Sequence, residues 1–176
     1  MSEEPQKFQP GHSFNMEGDP HNPIPENLLP ANCEYQELFR IEKSENQNTV
    51  RYYAFFNKDA PDKLVDIGVL WYRYEGFQHQ PIKWIEQKFA YGIRIEEKTE
   101  NAIKFHVASL NYVHVTVLYQ DGKFIAKTIL NEKEAILSTI FVDVTTVILI
   151  KPNVHSVTVK GTTVDTNEEI QQIFYP

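Results

Sequence analysis

Glycine-rich loops are missing from this sequence. Its seven glycines stand singly, so it has no backbone cradle of the kind that holds nucleotide phosphates. Cysteine is almost absent. Cys33 is the only one, so no intrachain disulfide can form, and 176 residues are enough to bury a core without one. That usage points to a reducing compartment. Clusters of Lys and Arg are lacking too, and the net charge of −7 argues against nucleic acid and anionic lipid surfaces as partners, since both are bound by clustered cations that release counterions. The longest apolar stretch, Ala135 to Ile150, carries Ser138, Thr139, Asp143, Thr145 and Thr146 and falls short of the ~20 residues that cross a bilayer, so no membrane span is expected. Met1-Ser2-Glu3-Glu4-Pro5 is acidic and proline-broken, unlike a secretory signal, and the protein is expected to be cytoplasmic. No Gly-x-Ser-x-Gly elbow is present, and Cys33 has no evident base beside it. No cofactor is expected.

Proline is abundant in one place. Six of the ten prolines lie within residues 1–34, and Pro20, Pro23, Pro25 and Pro30 each remove a backbone donor and push the preceding residue towards extended conformations. Residues 1–34 therefore read as an extended arm, and residues 35–176 as a single β domain. Pro23, Ile24, Pro25, Leu28, Leu29 and Pro30 make an apolar strip along the arm that could lie on a partner's surface.

From Tyr35 onward, β-branched and aromatic residues alternate with polar ones. Leu38–Ile41 and Thr49–Phe56, separated by Ser44–Asn48, form an expected hairpin, and Val65, Ile67, Val69 and Trp71 share one face of the next strand. Pro81–Tyr91 is the one expected helix, with Ile82, Ile85 and Phe89 at helical spacing and Gly92 as its left-handed stop. Asp121-Gly122 is the strongest turn signal. Ala135–Ile150 reads as one long strand or two, turned at Lys151-Pro152-Asn153. The whole pattern is all-β, an antiparallel sandwich or partly closed barrel of about nine or ten strands with one helix.

The chemistry on offer is sparse. A hairpin about Leu110 would place His106 opposite His114, close enough to share one metal ion if a third ligand came from elsewhere, Asp143 or His155 being considered. Two histidines on a solvated face is the plainer reading. Asn57, Asp59, Asp62 and Asp66 carry calcium-type oxygens in an order that no EF-hand loop has, and suit turn capping better. His12, His21 and Cys33 are too widely spaced for a zinc set. The aromatics Tyr52, Tyr53, Phe55, Phe56, Trp71, Tyr72, Tyr74, Trp84, Phe89 and Tyr91 could line a barrel cavity, although alternation sends about half of them into the core.

Three segments, Phe39–Tyr52, Val69–Tyr74 and Ile85–Ile93, resemble in this order a family of small β-rich domains of unassigned function, known mainly from bacteria. The likeness runs from about Leu38 to the C-terminus, and Gly161–Glu169 is similar to that family's closing hairpin. Typical members have a basic pair where this chain has Glu42-Lys43, and many carry a secretion signal. The resemblance implies a fold and its limits, with no catalytic residues to carry over. Within the shared positions, Asn46 and Asn48 suit a turn of unusual backbone angles, and Trp71 and Phe89 are bulky enough to anchor a core. Arg73 and Lys88 could contact an anion or a partner carboxylate, or cover aromatic faces.

These features together lead to the expectation of a non-enzymatic structural protein, docked through its arm among the protein subunits of a larger, cytoskeletal or ciliary, assembly. A small-molecule or lipid carrier, and a metal-dependent enzyme centred on His106 and His114, are the alternatives.

Overall fold

Asp121 and Gly122 both adopt positive φ, 52° and 83°, which is the geometry that lets a two-residue turn match the twist of its flanking strands. They join β7 (Leu110–Gln120) to β8 (Lys123–Leu130). The computed structural model describes residues 23–145 and 153–176, and the rest of the fold is built from strands of the same kind. These are β1 (Cys33–Lys43), β2 (Thr49–Asn57), β3 (Ala60–Arg73), β4 (Gln78–Pro81), β5 (Ile93–Lys98), β6 (Ala102–Val107), β9 (Lys133–Thr145), β10 (Asn153–Thr163) and β11 (Glu169–Phe174). The expectations for residues 1–22, 146–150 and 151–152, which include His12, His21 and part of the long strand with its turn, lie outside the described residues.

The strands form one curled sheet in the order β4-β3-β2-β1-β9-β8-β7-β6-β5, with β10 and β11 branching from β9. The partly closed barrel expected from the sequence is present as a half-barrel. It has eleven strands among the described residues, and β1 runs parallel to β9, so the sheet is mixed. The shape follows from β9. Its first residues pair with β8 (Leu130↔Lys133 to Lys127↔Ile136), and its later ones pair with β1 (Arg40↔Thr139 to Lys43↔Val142). Because β10 occupies the opposite edge of both stretches, β1 and β8 must share one edge and diverge from it. Gln36 stitches the gap between them: its amide donates to Phe124 O at 2.7 Å and accepts from Phe124 N at 2.9 Å, replacing a ladder rung.

The two halves close on an apolar core. Phe39 stacks on Tyr52 with ring centroids 4.5 Å apart and lies 6.3 Å from Phe105, while Phe56 meets Phe124 at 5.5 Å. A bulge between Glu37 and Phe39 turns both Leu38 and Phe39 into this core. Of the face expected on β3, Ile67, Val69 and Trp71 pack against the core, whereas Val65 is exposed. Tyr52, Tyr53, Phe55 and Tyr72 are buried by packing, which is the core reading of the aromatic set.

The helix differs from its expectation in three ways. Pro81 ends β4, a strand the sequence reading missed, and the helix spans Trp84–Glu86 (α1) before widening into a π turn over Gln87–Tyr91. Gly92 has φ −64°, so it is not a left-handed stop. Glycine is needed there because a Cβ would lie 1.9 Å from the Gln87 carbonyl oxygen that the π turn brings against it. Ile82 packs against the core, but Ile85 and Phe89 face solvent, so Phe89 anchors no core. Asn46 and Asn48 also differ, since neither has positive φ. Asn46 instead accepts from Asn48 N at 3.0 Å, and Asn48 from Tyr74 N at 2.9 Å, so their side chains make the turn.

The described part of the arm folds onto its own domain. Ile24 is 4% exposed and clusters with Tyr53, Phe55 and Leu70 on the outer face of β2 and β3, with Leu28, Leu29 and Tyr35 packed against them. The backbone N of Ile24 donates to the Tyr35 hydroxyl at 3.1 Å. Ile24 thus spends its apolar surface on this chain's own sheet, and half-buried Leu28 and Leu29 spend part of theirs there, so the strip is not wholly free for a partner. Pro23, Pro25 and Pro30 flank that contact and hold the segment extended, apart from a 3-10 turn at Glu26–Leu28.

Candidate functional site

Two regions gather side chains that the core does not explain. The first lies on the outward face of β5, β6 and β7. His106 stands between buried Phe105 and Val107, and His114 between buried Val113 and Val115, so alternation sends both imidazoles outward from a rigid backbone. Their ring centroids are 6.1 Å apart. The expected histidine pair is therefore formed, and its third member is Glu96, which was not expected. Glu96 Oε1 lies 3.2 Å from His106 Nδ1 and 2.5 Å from His114 Nδ1. Asp143 and His155 stand elsewhere, on β9 and β10, where His155 meets the Thr145 hydroxyl at 2.7 Å.

Strand irregularity explains why Glu96 escaped notice. The β5–β6 ladder skips it, since Ile95 pairs with Phe105 and Glu97 with Lys104, so Glu96 is the extra residue of a bulge. The β6–β7 ladder is also interrupted at this place, between Phe105↔Val115 and Val107↔Leu110, which leaves His106 on β6 and residues 111–114 on β7 outside it. Bulges re-aim side chains, and the adjacent pair Glu96-Glu97 was the only trace of one in the sequence. Slight desolvation acts upward on the Glu96 carboxyl, but the hydrogen bonds from His106 and His114 and their charges hold it below the usual glutamate range.

The second region is α1 and its π turn. No residue in it is buried, and Trp84, Ile85 and Phe89 are 73, 51 and 64% exposed. Its inner side is held by polar bonds instead. Trp71 Nε1 donates to Glu86 Oε1 at 3.0 Å, Lys83 N donates to the same oxygen at 3.0 Å, Tyr52 Oη donates to Tyr91 O at 2.7 Å, and Ser109 Oγ donates to Ala90 O at 2.7 Å. Tyr91 meets Trp71 edge-on at 5.5 Å, and the Lys43 ammonium lies 4.5 Å from the Trp71 ring. Lys43 is held below its usual range by burial, against which the Glu45 and Glu86 charges act upward. The exposed Lys88 ammonium lies 5.2 Å from the Phe89 ring, and Arg73 is exposed at the end of β3.

Of the calcium-type residues, Asn57 and Asp59 hold a turn, whereas Asp62 and Asp66 lie on β3. Asn57 accepts from Asp59 N at 2.8 Å, Asn32 donates to Asp59 at 2.9 Å, and Asp66 accepts from Ile67 N at 2.8 Å. A cleft of about 540 Å³ lies at the surface between the arm and β1, lined by Glu26, Asn32, Glu34, Tyr35 and Lys58 among others. Cys33 opens β1 as a buried free thiol, and burial pushes it up, so it is a poor nucleophile.

Comparison with known proteins adds one assignment. No curated protein and no solved structure matches the chain. One family, described as Domain of unknown function (DUF4833), matches residues 39–172, which takes in the sheet from the Phe39 core to β11 together with both regions above, and the chain belongs to that family.

Proposed function

We propose that this protein is a non-enzymatic interaction domain that docks in a larger multi-subunit assembly through Trp84, Ile85 and Phe89. The observation that carries the proposal is the exposure of these three side chains on one helical turn whose opposite side is pinned by Glu86, Trp71, Tyr52 and Ser109. A large apolar side chain gains ~1.5–3 kcal/mol when buried, and here nothing among the described residues recovers it. Tryptophan at such a place is the commonest kind of binding anchor. A π turn is also a costly local geometry that recurs at functional positions.

The partner surface is an apolar segment flanked by acidic residues. Lys83 and Lys88 are both exposed and directly precede Trp84 and Phe89, a basic rim on a chain whose net charge is −7. Strand addition at the neighbouring sheet edge is a poorer route, because β5 ends the sheet with Arg94, Glu96, Glu97 and Lys98, charges of the kind that protect edges. The arm strip takes the role of a brace for β2 and β3. An intracellular lattice, cytoskeletal or ciliary, is the setting that goes with this reading, and the reduced, buried Cys33 is compatible with it.

Photo-crosslinking from position 84 in the full-length chain, with position 129 as control, tests the proposal, since Ile129 is also exposed but lies on β8. A single acidic partner crosslinked at 84 and not at 129, and lost in Trp84→Ser/Phe89→Ser at unchanged melting temperature, supports it. Equal labelling from both positions, or retention by the double variant, removes it. Crosslinks only to a second copy of the chain would replace the acidic partner with self-association.

A further inference from the structure

Glu96, His106 and His114 bring one ligating atom each from three adjacent strands, all within 4.8 Å of one another. We propose that they form a binding site for one divalent first-row transition-metal ion, with zinc the best fit. This goes beyond the docking face, from which it differs in residues and chemistry.

The donor set selects the ion class. Two imidazoles and one carboxylate suit zinc and its neighbours, whereas calcium and magnesium require oxygen-rich shells. The spacing also fits. At metal–ligand distances of about 2.0–2.2 Å, the ligand atoms of a tetrahedral ion sit about 3.3 Å apart. The Glu96–His106 separation is 3.2 Å already, the 2.5 Å of Glu96–His114 needs to open by less than ~1 Å, and the two imidazoles, within 4.8 Å of each other, need to draw together by at most about 1.5 Å, all within reach of side chains on a solvated face.

The site is built into the sheet rather than assembled by chance on a surface. Both imidazoles project from strands whose neighbouring residues are fully packed, and Thr128 Oγ1 donates to the His114 carbonyl at 2.8 Å, fixing β7 against β8. A bulge on β5 turns Glu96 towards the two histidines, and the break in the β6–β7 ladder falls at His106 and His114 themselves. Both irregularities give up ladder hydrogen bonds, a cost with no packing return on an outward face. Three protein ligands leave a position open to water on the solvent side, as the half-exposed His114 ring allows.

Zinc titration of the full-length protein by calorimetry tests the proposal. One ion should bind per chain. The melting temperature should rise with zinc concentration. Even outer-shell losses weaken metal sites 10–100-fold, so Glu96→Gln and His114→Asn should each weaken binding at least about tenfold, with His155→Asn unchanged. X-ray absorption should show two imidazole nitrogens and one carboxylate oxygen. His114 is 51% exposed, so His114→Asn should keep the apo melting temperature, which separates loss of the site from loss of the fold. Binding undiminished in both variants, or no rise in melting temperature with zinc, would overturn the site and leave a carboxylate bridged by two imidazoles through hydrogen bonds alone.

Discussion

The indole nitrogen of Trp71 donates to both carboxylate oxygens of Glu86, at 3.0 and 3.2 Å, and this pair ties the exposed turn to β3. Glu86 also caps the turn by accepting from Lys83 N, so one carboxylate fixes both where the helix starts and where it rests.

Trp71→Phe keeps most of the ring and removes the donor. A hydrogen bond to a charged group contributes ~1.5–3 kcal/mol when dry. Trp71 is only partly buried, so the expected loss is about 1 kcal/mol, or ~2–4 °C in melting temperature for a domain of this size. Amide exchange should quicken over residues 84–92 and stay unchanged in β7 and β8. Uniform exchange across the sheet would show that the bond does not position the turn.

Gly92→Ala should act on the same element from its other end. The new Cβ would meet the Gln87 carbonyl carbon as well as its oxygen, 2.7 and 1.9 Å away, and backbone cannot step aside cheaply. Overpacking of this kind costs ~1–3 kcal/mol. Since φ is −64°, the cost is contact and not backbone strain, so Gly92→Ser, whose Cβ meets the same carbonyl, should cost at least as much as Gly92→Ala. An unchanged denaturant midpoint in both variants would show that the carbonyl contact does not hold the turn.

The sheet was legible where local rules act alone. Alternation along β6 and β7 sends Phe105, Val113 and Val115 inward and His106 and His114 outward, and Asp121-Gly122 can hardly be anything but a hairpin turn. Legibility failed where a distant surface decides. Phe89 has helical spacing with Ile82 and Ile85, but spacing cannot say whether a sheet lies opposite, and the polar anchors of Glu86 and Tyr91 turned that face outward. Ile24 sits among prolines that forbid a helix, which is correct locally and silent about the Tyr53–Phe55 face waiting to receive it. Glu96 was hidden by a bulge, since one inserted residue breaks the period of two on which strand reading depends.

Ile24→Ala tests the brace. Removing a buried isoleucine's methyl groups costs ~2–5 kcal/mol, and a site on an outer face under one turn of chain belongs near the lower figure, about 2 kcal/mol. Tyr35→Phe, which deletes the acceptor for Ile24 N, should cost about 1 kcal/mol by itself. The two losses should fall short of additive, because both act by freeing the same segment. Additive losses, or no loss in denaturant midpoint for Ile24→Ala, would mean that residues 23–30 do not brace β2 and β3.

Tyrosine burial sets the behaviour at high pH. Tyr91 is pushed up to about 12 by burial, with the Glu86 and Glu45 charges adding to it, and Tyr52 is raised well above its ordinary value by burial and then by Tyr91. Unfolding restores an ordinary phenol near 10.0. Between pH 10 and 12 the folded chain therefore holds more protons than the unfolded one, so stability is full below pH 10 and falls as pH rises through that window. Tyr91 alone accounts for about 2–3 kcal/mol of that fall by pH 12. Melting temperatures from pH 8 to 12 should thus drop more gently in Tyr91→Phe, which has no proton to lose and keeps the edge contact with Trp71. Parallel curves for the variant and the parent would show that Tyr91 titrates alike in both states.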